Sequence, residues 1–287
     1  MAQRNLILSR RSLLLSVPAA AALAATDGEA KVHVGSQLNA FRIIDLNTLM
    51  GALASVKQIG FEGFEAPYRT LESQFDRPEE MAKRLKDTGL TFFAIHIWLP
   101  SYDAQTQLAP WTLIQRVADG GAALGAQRLI LSGGSTPDAA SLARKAEALN
   151  RAGKYCREKG LQLAYHNHLP EVENDCAQLE GLLKATAPDL FHLVVDAGHA
   201  FSAGVDMAGF FSKHFPRIEG MHLRDALNKE EVPFGQGDRN WVPLAAAVRK
   251  SKWTGWLMTE EERLNGSKPG EAALRPAREG IRRIFGV

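Results

Sequence analysis

From residue 32 to the end, short apolar runs alternate with longer stretches whose apolar positions recur at helical spacing. The runs begin near Val32, Phe61, Leu90, Gln127, Leu161, His192, Ile218 and Trp253, eight in all. Between them the spacing predicts helices such as Asn47–Ile59, Pro78–Thr88, Trp111–Leu124, Asp138–Lys159, Asp175–Ala185 and Trp241–Lys250. Gly60, Gly89, Gly125 and Gly160 fall where these helices should stop. Pro137-Asp138 and Pro78-Glu79-Glu80 open helices with acids where the helix dipole favours them. No low-complexity linker interrupts the alternation, so the pattern predicts one domain over residues 26–287, a (β/α)8 TIM barrel of the α/β class. An open doubly wound sheet would want a Gly-rich turn after its first strand, and Gly35-Ser36-Gln37-Leu38 does not supply one.

Four of the runs end in polar clusters. They are Tyr165-His166-Asn167-His168, Val195-Asp196-Ala197-Gly198-His199, Met221-His222-Leu223-Arg224-Asp225 and Leu257-Met258-Thr259-Glu260. With His166, Asp196, His222 and Glu260 as anchors the gaps are 30, 26 and 38 residues, each about one strand plus one helix. Tips of consecutive parallel strands converge on one mouth of a barrel, where such folds keep their chemistry. Two imidazoles and two carboxylates meeting there make a shell for a divalent cation.

Residues 1–25 contain Ser9-Arg10-Arg11-Ser12, a short apolar stretch and the small-residue run Ala19–Ala25. This reads as a cleavable signal whose paired arginines are of the twin-arginine type, and it places the mature domain in the periplasm. Removing residues 1–24 takes away Arg4, Arg10 and Arg11 and no acid, so the formal charge goes from +2 to −1. That balance argues against a nucleic-acid partner, and no other segment is apolar and long enough to span a membrane. Cys156 and Cys176 lie in predicted helices either side of the fifth strand. Their spacing is not that of metal ligands, and an oxidising compartment would let them pair.

Tyr165-His166-Asn167-His168 with Glu171, Asp196-x-x-His199, Met221-His222-Leu223-Arg224-Asp225, Gly235-Gln236-Gly237-Asp238 with Trp241, and the last strand closing on Glu260 follow one another in order. The set resembles the xylose-isomerase-like sugar phosphate isomerase/epimerase superfamily over the whole mature chain. The resemblance implies one divalent metal ion, manganese foremost, with cobalt, magnesium, zinc or iron as alternatives, held through Glu, Asp, His and Glu at four strand ends. Asp196, His222 and Glu260 match the last three, and the first falls on His166, a departure from the family pattern. Strand alternation puts His166 and His168 on the same side, so either could be the imidazole ligand. The implied activity is isomerisation or epimerisation of a sugar through a metal-stabilised enediolate, with a homo-oligomer as the implied assembly. Glu260 is the first choice of base, with His168, His199 or His96 as partner acid. His96, Trp98, Glu171, His199, Arg224 and Asp225 are the candidates for substrate contact.

Glu65 ends the second run and is read only as a cap for the segment after it, while Glu261 and Glu262 are read as solvated, with Glu262 the better placed to reach the mouth. Export, and the absence of a glycine-rich phosphate cradle in Glu261-Glu262-Arg263-Leu264-Asn265, point to an unphosphorylated carbohydrate. A lyase, dehydratase or hydrolase on inosose-like or keto-glycoside substrates begins with the same proton removal and remains the main alternative. A nuclease of the endonuclease-IV type would need further ligands where the fourth strand ends in Ser132-Gly133-Gly134, and a non-catalytic carbohydrate-binding barrel would not need a metal shell at all.

Overall fold

A run such as Gln162-Leu163-Ala164-Tyr165-His166 is apolar on both sides because both faces of its strand are covered, one by helices and the other by the barrel lumen. The computed structural model describes residues 31–262 and 267–287. Eight parallel strands close on themselves: β1 (His33–Gln37), β2 (Gly63–Pro67), β3 (Thr91–Ile97), β4 (Arg128–Ser132), β5 (Gln162–His166), β6 (His192–Asp196), β7 (Ile218–Leu223) and β10 (Trp256–Thr259), in the ring order β1-β10-β7-β6-β5-β4-β3-β2. The expected barrel is therefore the observed one, and each strand starts within three residues of its predicted position. The expected signal, residues 1–25, lies outside the described residues.

Around the barrel run α1 (Leu46–Ile59), α2 (Pro78–Asp87), α3 (Trp111–Ala123), α4 (Ala139–Glu158), α5 (Leu169–Ala185), α6 (Ala197–Ser202), α7 (Met207–His214), α8 (Val242–Ser251) and α9 (Glu271–Phe285). No helix of the described residues is long and apolar enough to cross a membrane. Asp45 caps α1 through a capping box with Thr48, and Gly60 ends it at φ 95°. The predicted helix over 175–185 is only the second part of α5, which breaks at Glu173–Cys176. Cys176 thus sits in a left-handed break and not in a helix, and both it and Cys156 are buried and free. A two-stranded hairpin, β8 (Asp225–Leu227) with β9 (Glu230–Val232), follows β7. Its turn residues Asn228 and Lys229 have φ of 52° and 71°, the conformation of a tight two-residue hairpin turn.

The lumen is filled from below by Phe93, Ala94, Ile130, Ala164, Val194, Trp256 and Met258. Trp256 and Met258 are large, and room for them comes from Gly63 and Gly35, where an added Cβ would lie 2.6 Å from the indole and 2.5 Å from the Met258 sulfur. Two strands break the alternation. In β3 the register against β2 skips at Phe93, and in β7 the register against β6 skips at Glu219. Each extra residue resets which side the following positions face, as a bulge does. After the skips, His96 and His222 point into the lumen while Ile97 and Met221 pack against the helices.

Candidate metal centre and active site

Above the apolar filling, each strand of the barrel contributes one polar residue to a ring at the C-terminal mouth: Gln37, Glu65, His96, Ser132, His166, Asp196, His222 and Glu260. All eight are buried. Hydrogen bonds run through five of them in sequence. Ser132 Oγ lies 2.7 Å from His96 Nε2, His96 Nδ1 lies 2.8 Å from Glu65 Oε1, Glu65 Oε2 lies 2.7 Å from His222 Nε2, and His222 Nδ1 lies 2.9 Å from Glu260 Oε2. Gln37 Nε2 also donates to Glu65 Oε1 at 2.9 Å.

His166 and Asp196 stand apart from that series. His166 Nδ1 and Asp196 Oδ2 are buried without a hydrogen-bond partner. Asp196 spends its other oxygen capping α6, accepting from the His199 backbone N–H at 2.8 Å, and Asn167 holds the Asp196 backbone from both sides. A buried carboxylate oxygen without a hydrogen bond is costly, and the Arg224 guanidinium, 3.5 Å from Oδ2, offsets that only in part, so a further cation would complete it. Ligand atoms of His166, His222 and Glu260 all lie within 4.8 Å of one another, and Asp196 Oδ2 is 3.9 Å from His166 Nε2. Two imidazole nitrogens and two carboxylate oxygens suit a divalent ion of the manganese-to-zinc series better than magnesium, which prefers oxygen alone. The residues present therefore fit one divalent cation. Of the two imidazoles left open by the sequence, His166 is the one in this group.

Electrostatics favour His166 as a ready ligand, whereas His222 would give up a proton to an incoming ion. Burial, reinforced by the charge of His222, holds His166 well below the ordinary imidazole range, so it is neutral and free to offer a lone pair. Burial would lower His222 too, but the carboxylates of Glu65 and Glu260 on its two nitrogens outweigh it and raise the group well above its usual value. Burial alone would raise Glu65, yet the His222 charge and hydrogen bonds from His222 and His96 bring it to about 2. Glu260 is held well below the carboxylate range: Arg224 and His222 overcome its burial. Arg224 sits among acids, 2.7 Å from Glu231, 3.0 Å from Glu262, 3.5 Å from Asp196 and 4.0 Å from Glu260. It balances the carboxylates of the mouth.

A cleft of about 540 Å³ opens above the ring. Its floor is His166, Glu260 and His96, its wall His168, His199 and Arg224, and its rim Asn39, Arg69, Glu262, Lys268 and Trp98, the last 55% exposed. His96, Trp98, His199 and Arg224 thus line the cleft, as does His168, whose ring centre is 5.1 Å from that of His166.

Two expected substrate contacts lie elsewhere. Glu171 is fully buried, taking the Lys145 ammonium at 2.8 Å, the Tyr165 hydroxyl at 2.5 Å and the His168 backbone N–H at 3.0 Å. Its oxygens are consumed beneath the cleft wall. Asp225 accepts from the backbone N–H groups of Ala226, Gly235 and Gly237 and shapes the loop after the hairpin.

Glu65, expected only as a cap, is a member of the ring, bonded to His96 and His222. A signal for it exists in the sequence: a small residue two positions before the polar one recurs in Gly35-x-Gln37, Gly63-x-Glu65, Ala94-x-His96, Ala164-x-His166 and Gly220-x-His222. Glu261 is not solvated either. It is buried and accepts from the Phe234 backbone N–H at 3.0 Å. Burial raises its carboxyl from an ordinary 4.5 to about 8. A folded-state value above the unfolded one means stability present below about 4.5 and lost as pH climbs toward 8. Wild-type thermal melts are expected to fall by several degrees between pH 5 and pH 9, and Glu261→Gln is expected to flatten that fall. Equal slopes for the two proteins would refute a neutral buried Glu261.

Comparison with known proteins agrees with the geometry. A stretch of 135 residues is 29% identical to the inosose dehydratase of Geobacillus kaustophilus (strain HTA426), covering 40% of this chain and 44% of that protein, so less than half of that relative is matched. Among solved structures, an L-ribulose 3-epimerase superposes with a TM-score of 0.76 at 19% identity, over 89% of this chain and 95% of that one. The IOLI protein with a bound zinc atom superposes with a TM-score of 0.72 at 14% identity, over 89% and 98%. At such identities the likeness is one of fold. The sequence pattern described as "xylose isomerase-like TIM barrel" matches residues 53–284, most of the chain and all strands but the first, and the chain belongs to that family.

Proposed function

We propose that this protein is a divalent-metal-dependent isomerase or epimerase acting on an unphosphorylated sugar or sugar derivative. The observation that carries this reading is the meeting of His166, His222 and Glu260 beside an Asp196 oxygen that makes no hydrogen bond, at the floor of a cleft of sugar size. His166, Asp196, His222 and Glu260 would hold the ion. When bound, such an ion polarises a carbonyl and favours negative charge on its oxygen. Glu260 then removes the proton from the neighbouring carbon, and its link to His222 fixes the direction in which its carboxylate faces. His168 is the partner acid. His96 has Glu65 on one nitrogen and Ser132 on the other, and His199 leans on Asp196 and Arg224, whereas His168 keeps its ring toward the cleft. Trp98 gives the sugar an apolar face to lie on.

Asp196→Ala is expected to keep the barrel folded and to lower the affinity for Mn²⁺ at least tenfold, read by elemental analysis after dialysis against the ion. Two or more ions per wild-type chain would overturn the single-site reading. A second reading, dehydration of an inosose-like substrate, is favoured by the named activity of the Geobacillus relative. Incubating candidate substrates in deuterated water separates the two. Isomerisation or epimerisation gives a product of unchanged formula carrying deuterium beside the carbonyl, and dehydration gives one lighter by a water.

We also propose export by the twin-arginine route, which places the substrate outside the cytoplasm and so away from most sugar phosphates. The support is Arg10-Arg11 ahead of a short apolar stretch. Replacing both arginines by lysine is expected to leave the protein in the cytoplasm, and unchanged export would sink the idea.

A further inference from the structure

We infer that Glu65 is the positioning residue of the metal centre: it reaches across the lumen from β2, holds the Nε2–H of His222, and thereby turns Nδ1 of that ring toward Glu260 and the ion. The inference rests on the metal-site reading above. Three buried nitrogens surround this carboxylate, Gln37 Nε2 at 2.9 Å, His96 Nδ1 at 2.8 Å and His222 Nε2 at 2.7 Å. An ionised carboxylate can only accept, so each of those nitrogens must be the one that carries a proton. For His222 that places a proton on Nε2; Nδ1, 2.9 Å from the Glu260 carboxylate, holds one as well until an ion displaces it, which leaves Nδ1 as the nitrogen that would coordinate. For His96 it assigns the proton to Nδ1, so Nε2 accepts the hydroxyl of Ser132 at 2.7 Å.

Glu65 is not itself offered as a ligand. Both its oxygens are occupied by N–H donors, and the close group of ligand atoms does not include it. Its contact with His222 joins strands that are not neighbours in the ring, since β1 and β10 lie between β2 and β7. A ring nitrogen bound to a metal is commonly oriented this way, by a carboxylate on the other nitrogen, and losing that carboxylate typically weakens metal binding about 10- to 100-fold. Among the described residues the His222 ring has no hydrogen-bond partner besides Glu65 and Glu260, so no other described residue performs that task.

The test uses the full mature chain and two readouts. In chelator competition with Zn²⁺ and Mn²⁺, Glu65→Gln is expected to bind about 10- to 100-fold more weakly than wild type, with its melting transition showing that the barrel is intact. In the Zn²⁺-loaded wild type, nitrogen-15 spectra of the histidines are expected to show His222 protonated at Nε2 and metal-shifted at Nδ1. The second readout needs no variant and stands if Glu65→Gln fails to fold. Affinity within threefold of wild type in a folded Glu65→Gln, or a proton found on Nδ1 of His222 in the Zn²⁺-loaded wild type, overturns the inference and leaves the metal site standing. A wild type that binds neither ion overturns both.

Discussion

Glu260→Gln is expected to retain the metal and lose the reaction. The amide keeps one oxygen for the ion and for the His222 side of the site, and it cannot take a proton from carbon. Loss of a positioned general base costs about 10²–10⁴-fold in rate, while the unchanged shape of the side chain leaves the packing of the mouth as it was. The wild type in deuterated water should wash deuterium into the carbon next to the substrate carbonyl, and Glu260→Gln with its metal confirmed should not. Exchange at the wild-type rate in that variant would move the base to His168 or another imidazole. An active wild type that exchanges nothing would point instead to a hydride shift, with the carboxylate serving only to hold the ion.

Lys145→Met is expected to be the most damaging single change to stability away from the site. Lys145 and Glu171 are fully buried, paired at 2.8 Å, and Lys145 also donates to the Gly134 carbonyl at 2.7 Å. Burial lowers the Lys145 ammonium and the neighbouring carboxylate works against that. Removing one partner of a buried pair strands the other charge, at a cost of about 3–5 kcal/mol, which for a chain of this size lowers the melting temperature by about 10 °C. Replacing both partners, Lys145→Met with Glu171→Leu, should recover a large part of that loss, because no charge is then left alone. A single variant melting within a degree of wild type would show that water reaches the pair. Since Glu171 also holds the His168 backbone, the double variant is further expected to disturb the cleft wall while restoring stability.

The barrel and the face that carries the chemistry were legible in the sequence for a physical reason. Strands covered on both sides read as continuous apolar runs, and glycines after helices mark where each unit turns. The four clusters anchored on His166, Asp196, His222 and Glu260 were visible because each combines several polar residues at the end of such a run. Glu65 was not, because it stands alone in Gly63-Phe64-Glu65-Ala66-Pro67 and its partner His222 is 157 positions away. Glu171 and Asp225 had the opposite history. Local pattern put them beside the site, and only three dimensions show that backbone amides and Lys145 consume their oxygens. The hairpin after β7 has no clear mark in the sequence, because its turn is Asn228-Lys229 and lacks the glycine that usually signals such a turn.

The skip in β7 divides the strand into a part that tolerates a change of length and a part that does not. Leu193 faces Ile218 and Val194 faces Gly220, so Glu219 stands outside the ladder, at the far end of the barrel, bonded to Arg128 and Gln162. Without it Ile218, Gly220, Met221 and His222 would alternate unbroken, and His222 would still lie opposite Asp196. Beyond the skip there is no such slack. A gap at Met221 would carry the His222 imidazole round to the helices, emptying its place in the ring without altering a single residue of the centre.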